Sequence, residues 1–432
     1  MSIRTGWPLP HRVAAYGDEE QFRRARKEAG QWVFWEDRVE LVLAGQYDAV
    51  KPLHVELSPT YLCNFSCPWC SCRSAREDWS DTDVFSHPRA TPLTVMRENK
   101  IDHVLDHLAP DRIGIMWVGG EPTMNPLLYP AALKADRLGL PQCLFTNGSL
   151  LNRRRVDELF DANLVFVRVS LNAVSPDVHQ LHHDYDPRKG YADRVLDNLR
   201  RLAEVRAQRR SPTLFGVSVV VDERNLPDLE NTAEHLCRLV DEYGDGCVDY
   251  VIFRPAFPFY TAQLVINDDT VERFLRVVGP GAPWRRRLED AGIDVVVPDD
   301  SGPDEADRAD APDAGHDDFG CLAAGWFGEV TPNGDMVVCS DRYGNPDYFI
   351  GNVAERGVGD IWNGPERRAV LDMVRTTNCF ARQCPSNGRG YFFNRLFREI
   401  EHFRKEDRLH EVRVWIEELR TVLPRPTHSF FL

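Results

Sequence analysis

Cys63, Cys67 and Cys70 stand at CxxxCxxC spacing in the stretch Thr60-Tyr-Leu-Cys63-Asn-Phe-Ser-Cys67-Pro-Trp-Cys70. That spacing folds a short loop so that three thiolates converge on one centre. A 4Fe–4S cluster normally takes four cysteine ligands. Three leave one iron open, and an open iron can bind a substrate as well as carry an electron. The same spacing also suits a structural zinc site or three unrelated buried thiols, so the rest of the chain has to discriminate.

The loop directly follows a strand-like run, Leu53–Leu57. Further short apolar runs read as strands at Ile113–Val118, Gln142–Thr146, Leu164–Leu171, Leu214–Val221 and Val248–Arg254. Amphipathic stretches between them read as helices at Val95–Leu108, Leu127–Leu138, Asn152–Phe160, Tyr191–Arg209 and Leu229–Tyr243. Six strand–helix repeats with such connections imply an α/β fold with a parallel sheet, a partial (β/α)6 barrel that leaves a lateral mouth. Chemistry in such sheets belongs at the carboxyl ends of the strands. The cysteine loop lies there, as do Gly119-Gly120-Glu121-Pro122 after the second strand, Thr146-Asn147 after the third, and Ser170 and Asn172 at the fourth.

In Trp117-Val-Gly-Gly-Glu-Pro-Thr123 the glycines permit close backbone approach to a ligand, and Glu121 offers a carboxylate to an amino group. With this element following CxxxCxxC in order, the chain resembles the radical S-adenosylmethionine (SAM) superfamily over about Leu53 to Arg254. The resemblance implies that Cys63, Cys67 and Cys70 hold a 4Fe–4S cluster whose open iron is chelated by SAM. It also implies reductive cleavage of the sulfonium C–S bond to a 5′-deoxyadenosyl radical, fed by a flavodoxin- or ferredoxin-type reductant. Gly119, Gly120, Glu121 and Pro122 are then the segment for the SAM amino group, with Glu121 its contact. Ser170 and Asn172 are candidates for the SAM ribose or carboxylate. Thr146, Asn147 and Arg254 are further cofactor candidates, with satisfaction of strand-end backbone groups as their alternative role.

Cys321-x12-Gly334-x4-Cys339, followed by Cys379 and Cys384, resembles the auxiliary-cluster module of SPASM and twitch enzymes. Four cysteines are too few for the two extra clusters of a full SPASM module and fit one fully ligated auxiliary 4Fe–4S cluster. The Cys379–Cys384 spacing is wider than the expected tighter pairs, and a zinc held by the same four residues is the alternative. A cluster with four protein ligands has no open iron, so electron transfer or a structural role is expected of it. Cys72, beside the cluster loop, is a candidate hydrogen-atom donor. Cys143, Cys237 and Cys247 read as buried structural thiols.

The partition expected is an N-terminal helical cap (residues 1–50), the barrel (51–298), an acidic Pro/Ala/Gly-rich linker (299–318), a small α+β cluster module (319–390) and a helical tail (391–432). Glu329 to Cys339 reads as a hairpin around an Asn-Gly turn. The long connection from Ser71 to Thr94 is expected to cover the cluster or line the substrate pocket. Eleven cysteines without a signal-peptide pattern point to a reducing compartment, the cytoplasm. No apolar run is long enough to span a bilayer. The formal net charge of −15 argues against a nucleic-acid surface and mildly favours a cationic substrate. The expected substrate is a small polar natural product of amino-sugar, aminocyclitol or nucleoside type, with dehydration, dehydrogenation, epimerisation or decarboxylation as outcomes. Two other readings are a ribosomally made peptide as substrate, for which residues 1–50 lack the strand-rich leader-binding pattern, and a non-catalytic iron–sulfur protein, against which the open iron and the GGEP element count.

Overall fold

The computed structural model describes residues 32–70, 95–256, 268–279, 281–297, 320–339, 342, 345–377 and 389–422. The connection 71–94 with Cys72, the acidic stretch 299–318 and the Cys379–Cys384 pair lie outside those residues, as does the helical cap before Trp32.

Seven parallel strands form the body: β1 (His54–Leu57), β2 (Gly114–Trp117), β3 (Gln142–Thr146), β4 (Phe166–Ser170), β5 (Leu214–Val221), β6 (Tyr250–Pro255) and β7 (Asp294–Val296). Each pairs with the next in sequence order. Between them run α2 (Glu98–Leu108), α3 (Leu128–Arg137), α4 (Arg153–Asp161), α5 (Pro176–His183), α6 (Tyr191–Arg209), α7 (Leu229–Tyr243), α8 (Asp268–Val278) and α9 (Pro283–Asp290), while α1 (Glu36–Leu43) precedes β1. The six expected strands are present, and the short β7 extends the row by one. Among the described strands β7 pairs only with β6, so the sheet is an open, partial barrel.

Strand alternation separates two faces. Val167 and Val169 on β4, Val217 and Val219 on β5 and Val251 and Phe253 on β6 pack with helix residues such as Val104, Leu159, Leu199 and Leu236 in the main core. The opposite, inner face carries a separate cluster of Met116, Cys143 and Phe166, with Val118, Phe145 and Leu214 against it. Among the described residues the helices between the strands pack on the outer side, and the inner face is the side on which a ligand can sit.

The C-terminal module continues the same sheet. β8 (Glu329–Val330) pairs in parallel with β1, and β9 (Asp335–Val337) and β10 (Phe349–Asn352) follow antiparallel. The hairpin turns at Gly334 with φ 88°, a left-handed conformation natural to glycine. The module thus extends the barrel sheet directly. After α10 (Val358–Trp362) and α11 (Pro365–Thr376), the chain ends in α12 (Arg389–Lys405) and α13 (Leu409–Val422). These last helices share a second core with the N-terminal segment: Trp32 meets Phe397 edge-to-face at 5.7 Å, and Trp326 stacks on Phe393 at 5.6 Å.

Candidate active site

The loop after β1 is fixed from two sides. Toward β2, the Gly120 amide donates to Thr60 O (3.0 Å) and the Glu121 amide to Leu62 O (2.8 Å). A Cβ at Gly120 would lie 2.2 Å from Leu62 O and 2.5 Å from Tyr61 O, so only glycine lets the two backbones meet. Toward α5, the Ser66 amide donates to His183 O at 3.0 Å. Cys70 N donates to Cys67 O at 3.2 Å, closing the turn between the second and third cysteines.

Cys63, Cys67 and Cys70 share an aromatic cluster with Phe65, Trp69, Tyr185 and Tyr191. Phe65 stacks on Tyr185 at 5.1 Å. N–H groups face the sulfurs: the Phe65 amide donates to Cys63 Sγ (3.4 Å), Asn147 Nδ2 stands 4.0 Å from the same atom, and His183 Nδ1 lies 3.2 Å from Cys67 Sγ. Among the described residues no three His, Cys, Asp or Glu side chains are drawn together tightly enough for a single metal ion.

Glu121 is buried, and its carboxylate ties the ends of β2 and β3 together. Oε1 accepts from Thr123 N (3.1 Å), Thr123 Oγ1 (2.5 Å) and Thr146 Oγ1 (2.7 Å), and Oε2 accepts from Asn147 N (2.6 Å). Burial pushes this carboxyl up from its ordinary value, and the four donors hold it back. Oε1 takes three of the four donors and Oε2 only one, so Oε2 keeps acceptor capacity for the amino-group contact expected of Glu121. Pro122 starts the short helical turn that carries Thr123. Gly119, at φ 110°, presses its Cα side against Thr60 O.

Asn147 also donates to Asn64 Oδ1 (2.9 Å), and Asn64 donates to Ser149 Oγ (2.8 Å), so the β3 end grips the cysteine loop. Ser170 Oγ is half-buried on the inner face and 3.3 Å from Ser218 Oγ on β5. Asn172 is buried at φ 60°; its Oδ1 accepts from Val220 N (2.7 Å) and its own carbonyl accepts from Asn225 Nδ2 (2.7 Å). Arg254 is exposed near the end of β6. The structure therefore gathers Glu121, Thr146 and Asn147 with the cysteine loop into one network, and places Ser170 and Asn172 one strand further on.

Three residues went unread in the sequence. His179, His182 and His183 lie on α5, all buried, and line the back of the loop. Their spacing of three and four on a helix opened by Ser175-Pro176 was the available signal. His183 Nε2 faces Asn172 Nδ2 at 3.3 Å, with Leu171 O at the longer distance of 3.4 Å. Since Asn172 Oδ1 is taken by Val220, the amide's N–H side faces the ring, which assigns the proton to Nδ1, pointing at Cys67 Sγ. Trp69 Nε1 donates to His182 Nδ1 at 3.2 Å, and His179 Nδ1 is 2.9 Å from Tyr185 Oη. Burial holds all three rings neutral: His179 and His182 are pushed down to about 3, and His183 is held well below the ordinary value.

In the C-terminal module Cys321 and Cys339 are both half-buried, and Asn394 Nδ2 donates to Cys321 Sγ at 3.3 Å. Cys143, Cys237 and Cys247 are buried, with burial pushing the Cys237 thiol up and the Cys247 thiol up to about 11.

Residues 57–236 match the radical SAM superfamily, and residues 321–385 match the SPASM iron–sulfur cluster-binding domain. The chain is 26% identical over 253 residues to dTDP-4-amino-4,6-dideoxy-D-glucose ammonia-lyase of Streptomyces venezuelae, covering 56% of this chain and 49% of that enzyme. It therefore spans about half the length of that relative. It is 26% identical over 332 residues to PqqA peptide cyclase of Xanthomonas axonopodis pv. citri, covering 74% of this chain and 76% of the cyclase. The crystal structure of Streptococcus suis SuiB bound to S-adenosylmethionine has the same fold, at TM-score 0.52 and 14% identity over 82% of this chain and 74% of SuiB.

The chain belongs to the radical SAM superfamily and is an enzyme, with a SPASM domain at its C-terminal side. Its cofactors are a 4Fe–4S cluster with SAM, and auxiliary iron–sulfur chemistry in the SPASM domain. The residues present fit the first cluster: three thiols on one glycine-pinned loop, in apolar surroundings, with N–H groups aimed at the sulfurs. No helix among the described residues is long and apolar enough to cross a membrane.

Proposed function

We propose that this enzyme abstracts hydrogen from a small polar natural product of amino-sugar, aminocyclitol or nucleoside type, in secondary-metabolite biosynthesis. The observation carrying this reading is the lining of the inner face below the cysteine loop. Ser170 and Ser218 supply hydroxyls there, and Arg168 and Tyr250 supply polar tips among the rings of Phe145 and Phe166. Aromatic faces with a few convergent polar groups suit a compact polyhydroxylated ligand. The named activity of the Streptomyces venezuelae relative, on a nucleotide-linked amino sugar, supports the same class.

With SAM bound, the cluster supplies reductive C–S cleavage and a hydrogen-abstracting 5′-deoxyadenosyl radical. This chain's residues do the rest. Cys63, Cys67 and Cys70 hold the cluster, and Gly120 and Glu121 fix the loop against β2 and β3. Gly119–Pro122 with Ser170, Asn172, Thr146, Asn147 and Arg254 are the proposed SAM surroundings. Cys321 and Cys339, with Cys379 and Cys384, are the proposed auxiliary ligands, and Cys72 is the proposed hydrogen-atom donor. A flavodoxin- or ferredoxin-type protein is the proposed reductant, and the cytoplasm the proposed compartment.

One observation favours a second reading, a peptide substrate: the alignment with the peptide cyclase is longer than that with the sugar enzyme, 332 against 253 residues. Anaerobically reconstituted enzyme with dithionite and SAM should transfer deuterium into 5′-deoxyadenosine from a member of a deuterated amino-sugar, aminocyclitol and nucleoside panel. Transfer from labelled precursor peptides alone would replace the first reading by the second.

A further inference from the structure

The inner face carries a cation that nothing described neutralises. Arg168 sits mid-strand on β4, in register with Phe145 on β3 and Gly216 on β5, and Gly216 is in register with Tyr250 on β6. Its guanidinium lies over three rings, with its carbon 4.5 Å from the Phe145 centroid, 5.3 Å from Phe166 and 5.5 Å from Tyr250. Among the described residues its one hydrogen bond is donated by Nε to Tyr250 Oη, at 3.2 Å. The Tyr250 ring reaches that position because Gly216 beneath it has no side chain: a Cβ there would stand 2.0 Å from the ring.

Among the described residues no carboxylate pairs with Arg168. The acids on the same face are Glu56 and Glu329 on β1 and β8 and Asp294 on β7; Glu56 and Asp294 each lie about 14 Å along the sheet, at three strand spacings, beyond pairing distance. A half-buried guanidinium with both Nη groups unoccupied and its plane held by aromatic rings is poised for a planar, bidentate oxyanion. Ser170 and Ser218 stand two residues up their strands, about 7 Å away along β4. Their hydroxyls therefore flank the path between Arg168 and the carboxyl-end mouth where the cysteine loop lies.

We propose that Arg168 is a specificity residue that receives an oxyanion, phosphate or carboxylate, carried by the small substrate. This rests on the reading of the inner face as the substrate site. The sign is opposite to that suggested by the chain's net charge of −15. Local charge on the lining decides, because among the described residues exposed acids such as Asp193, Asp197 and Asp241 lie on the outer helices, where solvent screens them.

The test uses calorimetric titration of the reconstituted holoenzyme at low salt with four probes: glucose 1-phosphate, glucuronate, neutral glucose and cationic glucosamine. The wild-type enzyme is expected to bind one of the two anionic sugars at least about tenfold tighter than glucose, the lower end of what a charge-assisted contact supplies. A preference for glucose 1-phosphate identifies phosphate, and one for glucuronate identifies carboxylate. Arg168→Gln should erase the preference and Arg168→Lys should keep part of it. Arg154→Gln, on the exposed α4 surface beside Glu158, should leave it intact. Iron content and melting temperature show whether Arg168→Gln is folded, and Tyr250→Phe, which only frees the guanidinium's orientation, should weaken the preference several-fold. Preference for glucosamine, no preference in the wild type, or equal preference in Arg168→Gln would overturn the assignment. Deuterium transfer into 5′-deoxyadenosine by the same wild-type sample separates the two levels: transfer from the small-molecule panel without anion preference removes Arg168 alone, whereas transfer from labelled precursor peptides alone removes the underlying reading.

Discussion

Replacing Gly120 by alanine tests the joint between the glycine-rich turn and the cysteine loop. The new Cβ would stand 2.2 Å from Leu62 O, 2.5 Å from Tyr61 O and 2.6 Å from Leu62 C. All three are backbone atoms, so no side chain can rotate away. Ordinary contact begins at 3.4 Å, and the loop must therefore retreat by about 1 Å, since interiors of this packing density do not absorb such an overlap. That shift breaks the Gly120 N to Thr60 O and Glu121 N to Leu62 O bonds in a buried place. Two buried pairs left unmet cost about 2–5 kcal/mol. Urea unfolding of the anaerobically reconstituted variant should show that loss, and iron content should fall because Cys63 directly follows Leu62. Gly390→Ala, where the added Cβ meets nothing within 4 Å, serves as control. A Gly120→Ala protein within about 0.5 kcal/mol of wild type, with full iron content, would refute the claim that this joint positions the thiols.

Glu121→Gln keeps the shape but turns one acceptor oxygen into a donor facing either Asn147 N or Thr123 N; a loss of about 1–3 kcal/mol in urea unfolding is expected, and an unchanged midpoint would contradict the network. Glu329 is buried, accepts from Tyr61 Oη at 2.8 Å, leaves Oε2 without a hydrogen-bond partner and faces Glu56, so burial first and then Glu56 push it well above the ordinary value. With the folded value above the unfolded one, near 4.3, the native state binds more protons in between and stability falls as pH rises through the folded value. Glu329→Gln should therefore gain on wild type as pH rises from about 4.3, the unfolded value, in paired unfolding curves, and a pH-independent difference would contradict this. Gly216→Ala forces the Tyr250 ring off its seat, so a loss of about 1–3 kcal/mol and a weakened anion preference are expected together in melting and calorimetry.

The barrel was legible because its signals are local. Apolar runs such as Leu214–Val221 separated by amphipathic helices such as Tyr191–Arg209 mark parallel strands and their covers, and both occupy those residues. The cysteine loop and the glycine-rich turn were legible as motifs, and the fold places them side by side. What was missed depends on distant partners or on short elements. β7 has three residues, too few for a period. The pairing of β8 with β1 joins Glu56 to Glu329 across the whole barrel sequence, with no local mark. The N-terminal segment meets the C-terminal helices through pairs such as Tyr47 Oη to Glu401 Oε1 at 2.9 Å. His179, His182 and His183 look like a solvated helix face until α5 is seen packed on Phe65 and Cys67. Arg168 likewise reads as an ordinary strand residue until the inner face is assigned.

The central claim is that three thiols on a glycine-pinned loop hold a cluster that cleaves SAM reductively. The most direct measurement quantifies 5′-deoxyadenosine and methionine from anaerobically reconstituted wild-type enzyme given SAM and dithionite, beside Cys67→Ala. Both products in the wild type and neither in Cys67→Ala is the predicted result. No cleavage by wild-type protein whose cluster is verified spectroscopically as intact would contradict the account.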